Sequence, residues 1–366
     1  MKQNQILRLL FWESTIRCNL SCAHCRRLES DEAVDKDLST GQAKDLINQL
    51  AELGKSQAIM PVLVFSGGEP LCREDLFELV CEAREAGITT ALATNATLID
   101  EQSARQIKNS GIARVAVSLD GATAEAHDRL RQMEGSFENA LEGIGHLHRQ
   151  GAPFQINVTL TKRNAEQLED VYELAKSLGA VALHIFVLVP VGCGQILAKT
   201  DMLSPQEYEQ KLVEICGLER RGELQVKVTC GPHYQRVIRE QGLYKAPDAG
   251  KEAQPVPGAS DRSGRSRGCL AGVGVLFVSH QGDVFPCGYL PVKCGNILQR
   301  KLLDIWRNSA DLARMRDSER LEGKCGVCGY RHLCGGCRAR AYAATGNYMA
   351  EEPFCVYIPP EAVGRG

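Results

Sequence analysis

Three cysteines stand within eight residues, Cys18, Cys22 and Cys25 of the stretch CNLSCAHC. A second group, Cys269, Cys287, Cys325, Cys328, Cys334, Cys337 and Cys355, lies toward the other end of the chain. Grouped thiols pair as disulfides, bind a metal ion or hold an iron–sulfur cluster. Three is the wrong number for a set of disulfides and one short of a tetrahedral zinc cage. His24 could supply a fourth zinc ligand, but it adjoins Cys25, a cramped arrangement for two ligands of one ion. In the second group, Cys325-x2-Cys328 and Cys334-x2-Cys337 have, taken alone, the spacing of a zinc ribbon. The other six cysteines, Cys72, Cys81, Cys193, Cys216, Cys230 and Cys294, are scattered and read as small buried hydrophobes, with Cys294 a spare candidate ligand.

Bulk properties narrow the chemistry. A chain of 366 residues exceeds what one hydrophobic core usually supports, so two domains, or one with an appendage, are expected. A net charge of -2 argues against a nucleic-acid surface. The apolar run from Ile6 to Trp12 is short, contains Arg8 and meets Glu13 without a small-residue cleavage site, so neither a signal peptide nor a membrane span is expected. The expected location is cytoplasmic, where sixteen cysteines stay reduced, which favours metals or clusters over disulfides.

These thiols need elements to position them. Six β-rich apolar runs, LRLLFW, VLVF from Val62, ITTALAT from Ile88, ARVAVSL from Ala113, FQINVTL from Phe154 and VALHIFVL from Val181, alternate with amphipathic helical segments. Such alternation predicts α/β architecture with a parallel sheet, and the span is too short for eight ordinary βα units, so a partial, six-stranded TIM-like barrel is expected. Residues 1–242 form this barrel with a trailing helical segment that includes a possible strand, LQVKVTC. Residues 243–268, rich in Pro, Gly, Ser and charge, read as a flexible linker, and 269–366 as a cysteine-rich module that needs bound metal for stability, with helix near Leu302–Arg316. Reactive groups in a parallel barrel gather beyond the C-terminal ends of its strands. The unusual polar motifs fall there: CNLSCAHC, then SGGEPL with Gly67, Gly68, Glu69 and Pro70, then Asn95, then Ser118 and Asp120, with Asn157 on the fifth strand and Pro190-Val191-Gly192 after the sixth.

Cys18, Cys22 and Cys25 with SGGEP downstream resemble the radical S-adenosylmethionine (SAM) enzymes. The resemblance implies that the three thiolates hold three irons of a [4Fe–4S] cluster and leave the fourth open to SAM, whose reductive cleavage gives a 5′-deoxyadenosyl radical. It also implies SAM contacts from Gly67, Gly68, Glu69, Pro70, Asn95, Ser118, Asp120 and Asn157. The family commonly has an aromatic residue where His24 stands and Gly where Ala96 stands. The second cysteine group resembles the SPASM extension, which binds auxiliary [4Fe–4S] clusters. By that likeness Cys325, Cys328, Cys334 and Cys355 hold one cluster, and Cys269, Cys287 and Cys337 a second whose fourth position is open or differently filled. Two departures, a two-residue gap before Cys337 and no cysteine close after Cys269, leave one auxiliary cluster or two.

FWESTIRCNLSCAHCRR, HIFVLVPVGCG, VTCGPHYQRV and CGYRHLCGGCRARAYAATGNYMAEEPFC look most like the heme b synthases of the siroheme-dependent heme pathway. This likeness implies an oxidoreductase that decarboxylates two propionates of Fe-coproporphyrin III to vinyl groups, with a low-potential electron donor such as a flavodoxin or ferredoxin. A SPASM peptide maturase of the mycofactocin type, another tetrapyrrole side-chain enzyme, and a zinc-stabilised binding module without catalysis are the alternatives. Arg131, His233 and Tyr234 are the candidate catalytic residues, and Arg26, Arg27 and His184 join them as candidate partners of substrate carboxylates. His233 is also a candidate to ligate or orient the porphyrin iron.

Overall fold

The structure, a computed structural model, describes residues 6–27, 37–243 and 267–362. The expected linker over 243–268 lies outside the described residues except at its ends. Ten strands form one sheet: β1 (Leu9–Thr15), β2 (Val62–Gly67), β3 (Thr90–Thr94), β4 (Arg114–Ser118), β5 (Phe154–Leu160), β6 (Ala182–Val187), β7 (Gln225–Thr229), β8 (Val275–Val278), β9 (Asp283–Phe285) and β10 (Gly295–Asn296). Their order is β10-β9-β8-β1-β2-β3-β4-β5-β6-β7. All pairs from β1 to β7 are parallel, as is β1 with β8, and the last two pairs are antiparallel.

The strands alternate in what they bury. Leu10, Trp12, Leu63, Phe65, Leu92, Val117, Ile156, Leu183 and Ile185 have no exposed surface and pack under the crossover helices. Each such side chain contributes roughly 1.5–3 kcal/mol on leaving water. The alternate residues, among them Ala91, Ser118, Asn157, His184 and Lys227, are half-buried and line the barrel interior. Side-chain caps start several helices where the sequence demands it: Ser39 with Gln42 forms a capping box on Thr40–Gln57, and Ser204 with Glu207 another on Pro205–Arg221, which has Pro205 in its first turn.

The sheet exceeds the six expected strands. β7 is a full neighbour of β6, its Val226 turned to the core, and it continues the parallel run. β8 pairs with β1 in the register Leu9 with Val275 through Trp12 with Val278, so the C-terminal module begins as a strand of the barrel sheet. The helix expected near Leu302–Arg316 is present but splits at Ser309 into Leu302–Asn308 and Ala310–Arg316. A further helix, Arg338–Thr345, was not expected there, because its buried face carries Arg338 and Arg340 and breaks the apolar period. Among the described residues no helix is long and apolar enough to cross a membrane.

Candidate active site

The loop after β1 carries Cys18, Cys22 and Cys25, all half-buried. Its path is fixed by β2: the Gly68 amide donates to Thr15 O at 2.8 Å and the Glu69 amide to Arg17 O at 2.8 Å. A Cβ on Gly67 would collide with the Thr15 carbonyl and one on Gly68 with the Arg17 carbonyl, so both glycines serve the approach of two stretches of this chain. Glu69, fully buried, accepts from the Leu71 amide at 3.2 Å, the Thr94 hydroxyl at 2.8 Å and the Asn95 amide at 2.8 Å. Burial pushes its carboxyl up to about 7 against these donors. Pro70 opens the short 3-10 turn that follows. Asn95 donates to Asn19 at 2.9 Å, and Asn19 in turn to Thr97 at 2.8 Å, which ties the thiol loop to the end of β3. Ala96 there has φ 64, the left-handed conformation that glycine adopts without strain.

Asp120, just beyond β4, organises the other side of the loop. Its carboxylate lies 2.6 Å from Arg131 Nη2 and 3.2 Å from His24 Nε2, and accepts the Thr159 amide at 2.7 Å. Burial alone would raise its pKa, but Arg131, His24, His127 and that amide together hold it below the usual range. Arg131, 7% exposed, also directs Nη1 at Cys22 Sγ, 3.6 Å away. The Leu20 amide donates to Cys18 Sγ at 3.4 Å. Donors aimed at sulfur are what a cluster-bound thiolate needs.

Across the barrel mouth the C-terminal cysteines form two sets. Cys325, Cys328, Cys334 and Cys355 line one cavity of about 350 Å³, part of it open to solvent, together with His233, Arg236 and Tyr330. Amides of Glu352, Tyr330 and Gly336 donate to Cys325, Cys328 and Cys334 Sγ, each at 3.4 Å. In the second set burial, with the neighbouring Cys269 adding to it, pushes up the Cys287 and Cys337 thiols, and Cys230 is pushed up by burial and then by Cys337 and Cys287. Cys230 has φ 59, unusual for a residue other than glycine, and turns its carbonyl to Arg340 at 2.7 Å. Glu352 links the sets: fully buried, it pairs with Arg340 Nε at 3.1 Å, accepts the Cys337 amide at 2.7 Å and sends its own amide to Cys325. Four thiols around one cavity with amides on their sulfurs fit an iron–sulfur cluster. Among the described residues no three Cys, His, Asp or Glu are grouped to hold a single metal ion.

Residues 12–175 match the model of the radical SAM superfamily, and residues 269–329 that of the SPASM iron-sulfur cluster-binding domain. The chain is 44% identical over 352 residues to an AdoMet-dependent heme synthase of Methanosarcina barkeri, covering 96% of this chain and 97% of that one. This chain belongs to the radical SAM superfamily. A second AdoMet-dependent heme synthase, from Oleidesulfovibrio alaskensis, is 41% identical and is matched over 96% of this chain and 88% of its own. In fold the chain resembles SuiB of Streptococcus suis, solved with its precursor peptide SuiA, with a TM-score of 0.73 at 18% identity over 96% of this chain and 76% of the other. As a radical SAM enzyme with a SPASM domain, it works with SAM and [4Fe–4S] clusters.

Within this radical SAM frame the sequence-predicted residues divide. Gly67, Gly68, Glu69, Pro70, Asn95, Asp120 and Arg131 gather around the three-cysteine loop, and Ser118, two residues before Asp120 at the end of β4, sits beside Asn157 in the β4–β5 register. His233 and Tyr234 do not reach it. His233 is 1% exposed at the wall of the four-cysteine cavity, pushed down to about 3 by burial, and Tyr234 donates to Glu219 within the helical layer. Arg26 is paired with Glu13 at 3.0 Å and lies over Phe277, and Arg27 donates to Ile16 O. Cys294 packs in the barrel core beside Ser309, apart from both sets. Sequence reasoning missed Cys230, counted among the scattered thiols, although it opens the CGPHY turn directly beyond a strand. It also missed Tyr289, a half-buried residue whose hydroxyl lies within electrostatic reach of Cys230, Cys287, Arg26 and Cys25.

Proposed function

We propose that this enzyme is an AdoMet-dependent heme synthase, which oxidatively decarboxylates two propionates of Fe-coproporphyrin III to the vinyl groups of heme b. The observation that carries this reading is near full-length similarity, at 44% identity, to a protein of that name. For each side chain, a hydrogen atom leaves the carbon next to the ring, the bond to the carboxylate breaks, CO₂ departs and one electron remains to be removed. SAM bound at a [4Fe–4S] cluster supplies the radical chemistry that such an unactivated C–H bond requires.

The residues of this chain set the conditions. Cys18, Cys22 and Cys25 would hold the SAM-binding cluster, with Arg131 offsetting negative charge at Cys22 while fixed by Asp120. Ser118, Asn157 and Asn95 would present polar groups to SAM on the same rim. Cys325, Cys328, Cys334 and Cys355 would hold one auxiliary cluster, and Cys269, Cys287 and Cys337 a second, with Cys230 in the position the sequence left open. A redox-active group beside the substrate can take up the leftover electron, which zinc cannot. The test is anaerobic incubation of reconstituted enzyme with SAM, reductant and Fe-coproporphyrin III. Heme b and 5′-deoxyadenosine should rise together, whereas deoxyadenosine without any change in the porphyrin would overturn the reading.

A further inference from the structure

Two cations on the interior wall of the barrel have no acidic partner among the described residues. Arg114 leads β4 and Lys227 is central in β7. Register places Lys227 beside His184, His184 beside Asn157 and Asn157 beside Ser118, one row on the face turned from the helices. Arg114 lies on that face four residues before Ser118. The row crosses three strand spacings, about 14 Å. Gln155 Nε2 stands 2.8 Å from His184 Nδ1 and 2.9 Å from Asn157 Oδ1, so the imidazole keeps its proton on Nε2 when Nδ1 accepts. Burial, then Lys227 and Arg114, push His184 down to about 3, and burial, then Arg114, lowers Lys227; no carboxylate acts on any of the three.

Of the other cations near the site, Arg26 is paired with Glu13, Arg131 with Asp120 and Arg340 with Glu352, while Arg27 donates to Ile16 O beside the three-cysteine loop. A pair of half-buried like charges without a counter-ion disfavours the empty fold and favours an anion. We propose that Arg114 and Lys227, with His184 beside Lys227 in the strand register, seat carboxylates of the substrate. Resting on the heme-synthase reading, this assigns the seat to propionates that survive in heme b, held against the β4–β7 wall while those to be converted face the three-cysteine loop. The geometry admits any polycarboxylate of that size; the probes below separate the cases.

Wild type, Lys227→Met and Arg114→Gln, all anaerobically reconstituted, are titrated with metal-free coproporphyrin III and with its fully methyl-esterified form, followed by the Soret band. Losing one charge-assisted contact weakens binding of the free acid about 10- to 100-fold in each variant, with the ester bound alike by all three. Lys227→Met also raises Tm at unchanged iron content, because it removes a destabilising charge, whereas a structural lysine would lower it. Equal affinity of variants and wild type for the free acid, or loss of Tm together with affinity for both porphyrin forms, overturns the seat. A wild type that binds the porphyrin but makes no heme b under turnover leaves the seat standing and sinks the proposed reaction; a wild type that binds neither porphyrin sinks both.

Discussion

The two cysteine-bearing regions are held in place by different means. The N-terminal loop hangs from a parallel sheet: β2 backbone fixes its start, Asn95 its middle and the Asp120–Arg131 pair its far side. The C-terminal module has short strands and helices, and its centre is a buried ion pair, Glu352 with Arg340, wrapped by thiols. The barrel therefore has a large apolar core, to which the module adds Leu276, Val278, Ile297, Leu302 and Trp306, whereas residues 323–355 bury few apolar side chains and much of their cohesion has to come from the clusters their thiols hold. Where the scaffold is rigid, three thiols gather on one loop; where the scaffold is thin, Cys230 joins the module's own thiols, and Cys294 stays apart in the apolar core.

The largest effect that tests this contrast is Cys22→Ala, which should abolish both 5′-deoxyadenosine and heme b while leaving the far-ultraviolet circular dichroism of the barrel unchanged. Next, Glu352→Gln leaves Arg340 buried without its counter-charge and should cost about 3–5 kcal/mol, seen as a large drop in Tm with loss of auxiliary iron. Metal removal by chelation should then raise hydrogen exchange through residues 323–355 while the amides of β1 to β6 stay protected; equal exposure of both regions would erase the contrast. Cys230→Ser should lower iron content and alter the auxiliary signal without touching the three-cysteine site.

The smallest expected effect is at the joint between the regions. Glu13 on β1 pairs with Arg26 of the thiol loop at 3.0 Å and with His280 of the module at 2.8 Å. Burial would raise its carboxyl, but Arg26 and His280 bring it down to about 2 from an ordinary 4.5. Because the folded value lies below the unfolded one, the stabilisation is complete above about pH 4.5 and lost as pH falls toward 2. Glu13→Gln should accordingly cost up to about 3 kcal/mol at pH 7 and progressively less below pH 4.5, read as a Tm difference that closes on acidification.

Much of the barrel was legible because β1 to β6 are apolar runs whose alternate residues face helices, and because each polar motif follows a strand. β8 was not, since a four-residue run in a glycine-rich stretch carries no sign of pairing with a strand some 260 residues earlier. Arg114 and Lys227 could have been found: the period-two pattern of ARVAVSL and LQVKVTC puts each charge opposite the apolar face, which is the barrel interior. Gly67 and Gly68 approach the chain's own backbone closely, a demand that leaves the same mark in sequence as close approach to a ligand. His233 and Tyr234 share a motif with Cys230, and only the fold shows that the turn meets the sulfur sets and not the SAM rim.

On the proposed reading, the three-cysteine site alone leaves iron open to SAM. Electron paramagnetic resonance of the reduced enzyme with and without SAM, in wild type, Cys22→Ala and Cys325→Ala, tests it directly. One cluster signal should shift on adding SAM, the shift persisting in Cys325→Ala and vanishing in Cys22→Ala; a shift that vanishes in Cys325→Ala and persists in Cys22→Ala would contradict the account.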